Sequence, residues 1–404
     1  MDYQELIFDP QVIRRFDVNG PRYTSYPTAD RFVEAFGADD YTRWLGKRTV
    51  GGIGRPLSLY VHIPFCNTIC YYCACNKIIT KDHGRSAKYI KYLGKEIAMQ
   101  EAALDGSRDV VQLHFGGGTP TFLAHDEMQR LMDIIRKHFR LLPGGEYSIE
   151  VDPRKVGRDN VRQLADLGFN HTLDEIIKLD PDRLSIYNYA HLPSLAKPQR
   201  RINEADLPSP DARLQILQLA IRRLTDAGYV FIGMDHFAKP NDELAVAQRQ
   251  GRLHRNFQGY STHAEADLMA FGVSAIGKVG PSYCQNVRTL DEYYDSLDQG
   301  VLPIFRGIEL NADDLLRRSI IQALMCHFEL SIESIEIAHL IDFKSYFASE
   351  LDDLREMEKG GLLTIDDQWI SVEPRGRLLV RGIAMAFDRY LRTDRERVRY
   401  SKVI

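Results

Sequence analysis

Runs of consecutive apolar residues alternate with segments of helical periodicity along most of the chain. Five apolar runs are predicted as strands, at residues 57–63, 110–117, 147–152, 183–190 and 229–238. Helical periodicity covers residues 87–104, 126–139, 159–168 and 210–228. Continuous apolar runs are typical of a parallel sheet whose two faces are both covered by helices. The alternation therefore predicts an α/β fold, built either as a β/α barrel or as an open doubly wound sheet.

The pattern changes near residue 306. Helical segments predominate from there, and residues 361–380 are typical of a short β-hairpin that leads into the last helix. These features predict a small, mostly helical C-terminal domain with a winged-helix-like shape. We therefore divide the chain into an N-terminal extension at 1–52, a β/α domain at 53–305 and a C-terminal domain at 306–404.

Composition limits the kinds of partner that the protein can have. The chain has 404 residues, of which 44% are hydrophobic and 27% charged, and these fractions are typical of a globular protein. A net charge of −4 argues against broad electrostatic binding to nucleic acid or to an anionic membrane. The sequence shows no secretory signal and no apolar run near the roughly 18 residues of a membrane helix. We therefore expect a cytoplasmic protein with neither a membrane nor a nucleic acid as partner.

Four of the six cysteines, Cys66, Cys70, Cys73 and Cys75, lie within ten residues, directly after the first predicted strand. In the reducing cytosol such a cluster predicts a metal or redox site before it predicts disulfides. A structural zinc site would need ligands from a second loop, and no second cysteine pair follows. Three thiolates of one short loop can instead hold an iron–sulfur cluster and leave one iron open. A redox pair and a zinc-stabilised regulatory or nucleic-acid-binding protein remain the alternatives.

Two further motifs stand at the ends of predicted strands. Residues 116–118 are three consecutive glycines, and Glu150 lies in the sequence EVD at the end of the next strand. Functional sites of α/β folds gather at the carboxyl ends of parallel strands, where these motifs and the cysteines are all found. A glycine run at this position lets backbone amides approach a charged ligand. An ordinary turn and a solvated carboxylate are the simpler interpretations.

The spacing Cys-x₃-Cys-x₂-Cys after a first strand resembles that of the radical S-adenosylmethionine (SAM) enzymes. The longer string LSLYVHIPFCNTICYYCACNKIIT is similar to their oxygen-independent coproporphyrinogen III oxidase family. Further similar stretches lie at residues 21–29, 114–123, 148–154, 188–193, 233–262 and 272–277. The resemblance implies a partial, open β/α barrel of the radical SAM type. Cys75 favours this family over the related haem-chaperone-like proteins, which tend to carry Phe there; a haem-binding protein of that kind remains a second alternative.

The resemblance also implies cofactors and the residues that hold them. Cys66, Cys70 and Cys73 match the ligands of a [4Fe-4S] cluster, whereas Cys75 matches a fourth cysteine that is not a ligand. The family binds two SAM molecules. Positions in contact with the first match Tyr60, Gly117, Glu150, Gln258 and Ile276, and positions around the second match Tyr72, Gly118, Thr119 and Ala190.

The implied reaction is the oxidative decarboxylation of two propionates of coproporphyrinogen III to vinyl groups, which gives protoporphyrinogen IX in haem biosynthesis. A tetracarboxylate on an apolar macrocycle needs cations beside aromatic side chains. Arg22, His62 and Cys75 are the candidates for contact with this substrate. A surface arginine and a satisfied core histidine are the simpler interpretations of the first two. The resemblance also implies an electron donor and an electron acceptor, and we expect a monomer.

One departure from the family lies between Asn170 and Leu173. Family members carry there a stretch on the order of 50–60 residues, which is more than one βαβ unit. That stretch supplies barrel strands with a Gln, an Arg and an Asp that contact SAM, and this sequence has no counterpart to them. Because the loss of central strands would expose unpaired edges, we hypothesise that a segment of the protein is missing from this sequence near 170–173.

Overall fold

The computed structural model describes residues 6–50, 53–151, 181–186, 189, 191, 193–194 and 196–393. Its helices are α1 (Pro10–Phe16), α2 (Ala38–Leu45), α3 (His83–Ala102), α4 (His125–His138), α5 (Pro210–Asp226), α6 (Glu243–Arg249), α7 (Leu290–Asp298), α8 (Ala312–His327), α9 (Ile332–His339), α10 (Phe343–Tyr346), α11 (Ala348–Lys359), α12 (Val380–Met385) and α13 (Arg389–Thr393). Short 3₁₀ helices lie at Ala29–Arg31, Pro120–Phe122, Lys197–Arg201, Glu204–Asp206 and Arg377–Leu379. The helix predicted at 159–168 lies outside the described residues. None of the described helices is long and apolar enough to cross a membrane.

The strands are β1 (Thr49–Val50), β2 (Ile53–Gly54), β3 (Leu57–Ile63), β4 (Phe65–Cys66), β5 (Ile78–Ile79), β6 (Asp109–Gly117), β7 (Arg140–Ile149), β8 (Arg183–Ser185), β9 (Val230–Gly233), β10 (His236–Ala238), β11 (His254–Asn256), β12 (Gly259–Ser261), β13 (Asp267–Phe271), β14 (Ile276–Val279), β15 (Ser282–Asn286), β16 (Ile304–Glu309), β17 (Glu329–Ser331), β18 (Leu363–Ile365) and β19 (Trp369–Val372). The largest sheet in the described part of the chain has seven strands, in the order β16-β15-β14-β13-β3-β6-β7. Its edge strands β16 and β7 do not pair with each other within the described residues, which confirms an α/β fold with an open barrel.

Only one half of this sheet is parallel. Strands β13, β3, β6 and β7 run in the same direction, whereas β14, β15 and β16 are antiparallel to their neighbours. The parallel arrangement is therefore confirmed for the runs at 57–63, 110–117 and 147–152, and it is wrong for the runs at 183–190 and 229–238, whose strands form a separate antiparallel sheet. None of the five predicted strands covered β14, β15 or β16. The β13–β14 and β14–β15 connections hold only residues 272–275 and 280–281, and a parallel pair needs a crossover of a dozen residues or more. The β15–β16 connection, which contains α7, is longer, so this limit does not explain its antiparallel pairing.

Helices α3 and α4 form the crossovers of the parallel half. Helix α3 begins after Asp82, whose carboxylate accepts a hydrogen bond from the Gly84 N–H, and in α4 the Glu127 carboxylate accepts one from the Ala124 N–H. These contacts satisfy amides that an α-helix leaves without partners at its start. The apolar faces of both helices are buried against the sheet in one core. Each crossover returns the chain to a parallel neighbour, so β3, β6 and β7 end at the same edge.

The apolar run at 229–238 is two strands and not the single strand that its pattern predicts. Strands β9 and β10 form an antiparallel hairpin, which pairs further with β8. Gly233 has φ 146° and Met234 has φ 54°, and such positive values reverse the chain in a tight turn. Apolarity alone cannot show this reversal, because both strands of the hairpin are buried. The strand predicted at 183–190 is described only as β8, and some of the residues that follow lie outside the description.

The C-terminal region combines the predicted helices with a small antiparallel sheet. The predicted hairpin is formed by β18 and β19, and β17 adds a third strand to β19. This part of the molecule shares its core with the β9–β10 hairpin, since the rings of Phe231 and Phe328 stack with centroids 6.2 Å apart. The N-terminal extension joins the same core through Tyr23 and Tyr26. The apolar cores thus link segments distant in sequence, and the boundary at 305/306 stays a prediction.

One ion pair at the base of the sheet is completely enclosed. Arg48 Nε donates to Asp267 Oδ2 at 2.8 Å, and the two side chains are 0% and 1% exposed. The remaining guanidinium nitrogens donate to the carbonyl oxygens of Arg55, Asp105 and Ser107. A buried charge with all its hydrogen bonds satisfied holds a fixed geometry, so this pair fixes the end of the extension to the start of β13.

We predict that Arg48→Met lowers the free energy of unfolding by about 3–5 kcal/mol, because it leaves the Asp267 carboxylate buried without a counter-ion. The control is Arg43→Met, which removes an ion pair to Glu309 from an arginine that is 46% exposed and should cost about 1 kcal/mol or less. Urea unfolding followed by circular dichroism measures both values. Equal effects of the two substitutions would contradict the importance of the buried pair.

Candidate functional site

Three neighbouring strands bring the predicted motifs together. In the parallel half of the sheet, Ile63 of β3 pairs with Gly117 of β6, and Phe115 of β6 pairs with Ile149 of β7. The cysteine loop, the glycine run and Glu150 therefore begin at adjacent strand ends. The Gly117 N–H donates to Glu150 Oε2 at 3.1 Å, so the carboxylate is held directly beside the glycine run.

The cysteine loop is closed at its base by backbone pairing. Strand β4 at the start of the loop pairs in parallel with β5 at its end, and the Thr80 N–H donates to the Cys66 carbonyl at 3.0 Å. Within the loop, the Cys73 N–H donates to the Cys70 carbonyl at 3.1 Å, and Lys77 Nζ donates to the Cys73 carbonyl at 2.9 Å. These contacts fold the loop back on itself and leave the cysteine side chains along one cavity.

All four cysteines line a cavity of about 480 Å³. Cys66 is buried, and burial raises the pKa of its thiol. The Thr119 hydroxyl donates to Cys66 Sγ at 3.5 Å, and this hydrogen bond lowers the pKa by less than burial raises it. A hydrogen bond from the Cys75 thiol lowers the pKa of Cys73, and Lys77 lowers it further. Thiolates are the ligands of iron–sulfur clusters, so Lys77 and the Cys75 thiol favour the form of Cys73 that binds metal.

The cysteines fit a cluster of several irons better than one metal ion. Within the described residues, no three side chains of His, Cys, Asp or Glu are arranged to hold a single ion. Cys66, Cys70 and Cys73 nevertheless share one cavity wall, as ligands to separate irons of a cubane must. The other two cysteines, Cys284 and Cys326, are buried away from this cavity, and burial raises the pKa of each thiol to about 12.

A second cavity of about 300 Å³ adjoins the first, and the two share Cys75, Gly117 and Glu150 as lining residues. All five positions matched to the first SAM molecule lie on its wall, namely Tyr60, Gly117, Glu150, Gln258 and Ile276. Burial and then the Glu150 carboxylate raise the pKa of the Tyr60 phenol. The hydroxyl of Tyr60 therefore stays protonated and can donate a hydrogen bond.

The positions matched to the second SAM molecule are only partly described. Tyr72, Gly118 and Thr119 line the first cavity, whereas Ala190 lies outside the described residues. Tyr72 is 67% exposed and the neighbouring Tyr71 is also exposed, so these two rings are not buried in the core. Gly118 lies so close to the cysteine loop that an added Cβ would come within 2.8 Å of the Pro64 carbonyl group. A glycine is therefore required where the two segments meet.

Sequence patterns did not identify His114, which also lines the second cavity. Its ring stacks on Tyr60 with centroids 5.9 Å apart, its Nδ1 lies 2.7 Å from Ser148 Oγ and its Nε2 lies 3.5 Å from Glu150 Oε1. These contacts follow from register, because Tyr60, His114 and Ser148 are direct neighbours on three adjacent strands. An alignment of the three strands in register would have placed His114 beside Tyr60. The single histidine in the sequence HFGGG gives no such signal.

His62 is held by protein groups on both ring nitrogens. Its Nε2 lies 3.0 Å from the Asn76 carbonyl oxygen and its Nδ1 lies 3.1 Å from the Tyr60 hydroxyl. Burial lowers the pKa of the imidazole, so the ring is neutral near pH 7. Since a carbonyl oxygen only accepts, Nε2 carries the proton and Nδ1 accepts from Tyr60. His62 thus connects β3 to the end of the cysteine loop.

Arg22 does not line either of these two cavities. Its Nη1 donates to Asp235 Oδ2 at 2.7 Å, beside the β9–β10 hairpin. Thr24, two residues further along, lines a third cavity next to Phe257. Phe257 also lines the second cavity. The N-terminal extension therefore lies close to the site, but the residue that approaches it is Thr24 and not Arg22.

Comparisons with known proteins agree with this geometry. A family model described as the radical SAM superfamily matches residues 60–243, and one described as the HemN C-terminal domain matches residues 310–379. The chain is 46% identical to an oxygen-independent coproporphyrinogen III oxidase of Pseudomonas aeruginosa, an alignment that covers 98% of this chain and 99% of that protein. It is 41% identical to a protein of the same name from Escherichia coli, with all of both chains covered.

A solved structure is similar over nearly the whole chain. The coproporphyrinogen III oxidase (HemN) of Escherichia coli, described as a radical SAM enzyme, superposes with a TM-score of 0.89 at 41% identity. The superposition covers 96% of this chain and 100% of that one. The Escherichia coli sequence alignment has 462 positions, 58 more than the 404 residues here, so that relative carries residues without a counterpart. The omission hypothesised near 170–173 lies outside the described residues and stays a prediction.

We predict that Gly118→Ala weakens metal binding by the cysteine loop, because the new methyl group displaces the backbone before Cys66. Overpacking of this kind also costs about 1–3 kcal/mol of stability. The measurement is iron and sulfide bound per chain after anaerobic reconstitution, together with the unfolding midpoint. The control is Gly46→Ala, whose Cβ would meet only ordinary contacts of 3.6 Å or more. Full iron content in the Gly118 variant would contradict the close contact.

Proposed function

This chain belongs to the oxygen-independent coproporphyrinogen III oxidase family of radical SAM enzymes, and from that premise we propose which of its residues serve the reaction. Cys66, Cys70 and Cys73 hold a [4Fe-4S] cluster in the first cavity, and SAM occupies the space that this cavity shares with the second. The observation that supports this arrangement is the set of residues on the common wall, Cys75, Gly117 and Glu150. A ligand bound at this wall touches both cavities at once.

The cluster and SAM together supply the oxidising power. A cluster held by Cys66, Cys70 and Cys73, with SAM bound beside Gly117 and Glu150, would supply the one-electron radical chemistry that decarboxylation of a propionate side chain requires. Three cysteine ligands would leave one of the four irons without a protein ligand, with Cys75 on the same cavity wall as a thiol that is not a ligand. SAM would fill that open position.

Glu150 and the glycine run bind the polar part of SAM. The Glu150 carboxylate is oriented by the Gly117 N–H and faces the His114 ring, which leaves oxygen lone pairs for ribose hydroxyls or an ammonium group. Tyr60, Gln258 and Ile276 form the remaining wall. The Gln258 N–H donates to Asn256 Oδ1 at 2.8 Å, and its Nε2 donates to the Leu59 carbonyl at 3.5 Å. An oriented carboxylate and a fixed glutamine select one pose of the nucleotide before the reaction begins.

His62 lines the second cavity and acts as a positioning residue for the cysteine loop. Both of its ring nitrogens are engaged by the protein, and one of them holds Asn76 at the end of the cysteine loop. Tyr72, Gly118 and Thr119 would contact a second SAM molecule in the first cavity. The buried ring of Phe65 lies behind the loop and excludes water from the side of the cluster that faces the core.

The proposed substrate is coproporphyrinogen III, with two propionates converted to vinyl groups. The partners are a one-electron donor for the cluster and an acceptor for the final electron. We further propose that the protein acts in the cytoplasm, since the thiols of the cysteine loop must stay reduced to bind iron. We also propose that it acts as a monomer.

The test is anaerobic incubation of reconstituted protein with SAM, a reductant and coproporphyrinogen III, followed by chromatography of the porphyrin and of 5′-deoxyadenosine. We expect protoporphyrinogen IX from the unmodified protein and none from Cys70→Ala, which removes a cluster ligand. Cys284→Ala is the matched control, because this cysteine is buried outside the cavity and its loss costs about 1 kcal/mol of stability.

Two results would contradict the proposal. Activity retained in Cys70→Ala would show that the cluster is not held by these thiolates. Cleavage of SAM without conversion of the porphyrinogen in the unmodified protein would instead favour the haem-chaperone-like alternative.

A further inference from the structure

A third cavity, of about 510 Å³, lies between the antiparallel half of the sheet and helix α8. Its wall includes His254 and Arg255 of β11, Lys278 of β14 and Arg318 of α8, and Thr24 of the N-terminal extension closes one side. Phe257 lines both this cavity and the second cavity. The third cavity is therefore a direct neighbour of the proposed SAM site.

The wall of this cavity is strongly cationic. Arg55, Arg255, Lys278 and Arg318 face it, and Glu265 is the only acidic side chain among the described lining residues. The chain as a whole carries slightly more acidic than basic residues, so this concentration of positive charge does not reflect composition. Like charges that surround a partly enclosed space repel one another more strongly than they would in bulk water.

Several of these cations have unused hydrogen-bond donors. Arg255 is 4% exposed, and its Nη1 has no hydrogen-bond partner among the described residues. The same is true of Nη1 of Arg318. Within the described part of the chain, the Lys278 ammonium group makes no hydrogen bond and no ion pair, although its backbone pairs within the sheet. A buried donor without a partner is costly, so the two arginine nitrogens favour a bound anion, and the Lys278 ammonium group lines the same cavity.

Electrostatics point to the same kind of ligand. Burial and then the positive charge of Arg318 lower the pKa of Lys278 to about 8. Burial, followed by Lys278 and Arg318, lowers the pKa of His254 to about 3, so this ring adds no charge. Carboxylates form short, charge-assisted hydrogen bonds with arginine and lysine. One anion placed between Arg255, Lys278 and Arg318 would offset their repulsion.

We propose that this cationic cavity binds the propionate carboxylates of the substrate that are not undergoing reaction. The inference rests on the proposed function, which supplies a tetracarboxylate substrate next to the second cavity. The substrate's apolar ring would contact Phe257, which belongs to both cavities, while a carboxylate reaches Lys278 and Arg318. Lys278 and Arg318 thereby determine the orientation of the bound substrate.

The first test measures binding without catalysis. Coproporphyrin III, the stable oxidised form of the substrate, is titrated into the protein and its fluorescence is followed. Lys278→Gln and Arg318→Gln should each raise the dissociation constant about tenfold, because each removes a charge-assisted hydrogen bond. The exposed residues Lys344 and Arg355 provide the matched controls Lys344→Gln and Arg355→Gln, which should leave it unchanged.

Competition identifies the source of the carboxylate. Citrate and inorganic phosphate are added at increasing concentration, and the tetramethyl ester of coproporphyrin III replaces the free acid in a parallel titration. We expect the ester to bind weakly to the unmodified protein. We also expect the Lys278→Gln and Arg318→Gln variants to lose affinity for the free acid and not for the ester. Tight binding of citrate or phosphate that depends on Lys278, with porphyrin binding unaffected, would overturn the proposal and assign the cavity to a free anion.

Kinetics then separate this inference from the proposed function. The two variants should raise KM for coproporphyrinogen III with little change in kcat, and SAM cleavage without substrate should equal that of the unmodified protein. An unchanged KM in both variants of an active enzyme would overturn the inference and leave the function intact. Absence of turnover in the unmodified protein would instead contradict the proposed function, while the porphyrin titration would still report on the cavity.

Discussion

The parallel pairing of β3, β6 and β7 is the constraint on which the site depends. Because the three strands run in the same direction and stand in register, their carboxyl ends meet at one edge. The cysteine loop, the glycine run and Glu150 begin there. They are far apart in the sequence and become neighbours only through the pairing of the strands. A shift of one residue in one of these strands would turn its own member of the row Tyr60, His114 and Ser148 to the opposite face of the sheet. The backbone hydrogen bonds between the three strands therefore fix the relative positions of the site residues.

The antiparallel half of the sheet has a different part in the molecule. It supplies Ile276 to the second cavity and Lys278, on the same face of the same strand, to the third. One short strand thus connects the proposed SAM site to the cationic cavity. The N-terminal extension closes that cavity with Thr24, while Arg381 donates to the carbonyl of Pro21 and Tyr23 donates to Asp388. The extension is held by the C-terminal region, so both ends of the chain contribute to the enclosure around the barrel.

The sequence was sufficient to predict the cysteine loop, its place after a buried strand and the α/β class, because these features depend on local patterns. That the barrel is open came from the family resemblance. A cysteine spacing and an apolar run can be read without knowledge of distant neighbours. The β9–β10 hairpin was missed because both of its strands are buried and its turn depends on Gly233 and Met234. The cationic cavity was missed for another reason: Arg55, Arg255, Lys278 and Arg318 stand in separate elements, and only the fold brings them together. His114 became visible only through its register with Tyr60.

We propose that Cys66, Cys70 and Cys73 bind a [4Fe-4S] cluster and leave one iron for SAM. The most direct measurement is the Mössbauer spectrum of protein reconstituted with ⁵⁷Fe, recorded with and without SAM. The account predicts that one iron differs from the others and that its signal alone changes when SAM is added, in the unmodified protein and in Cys75→Ala alike. Irons that are all equivalent and do not respond to SAM, or a protein that takes up zinc in place of iron, would contradict it.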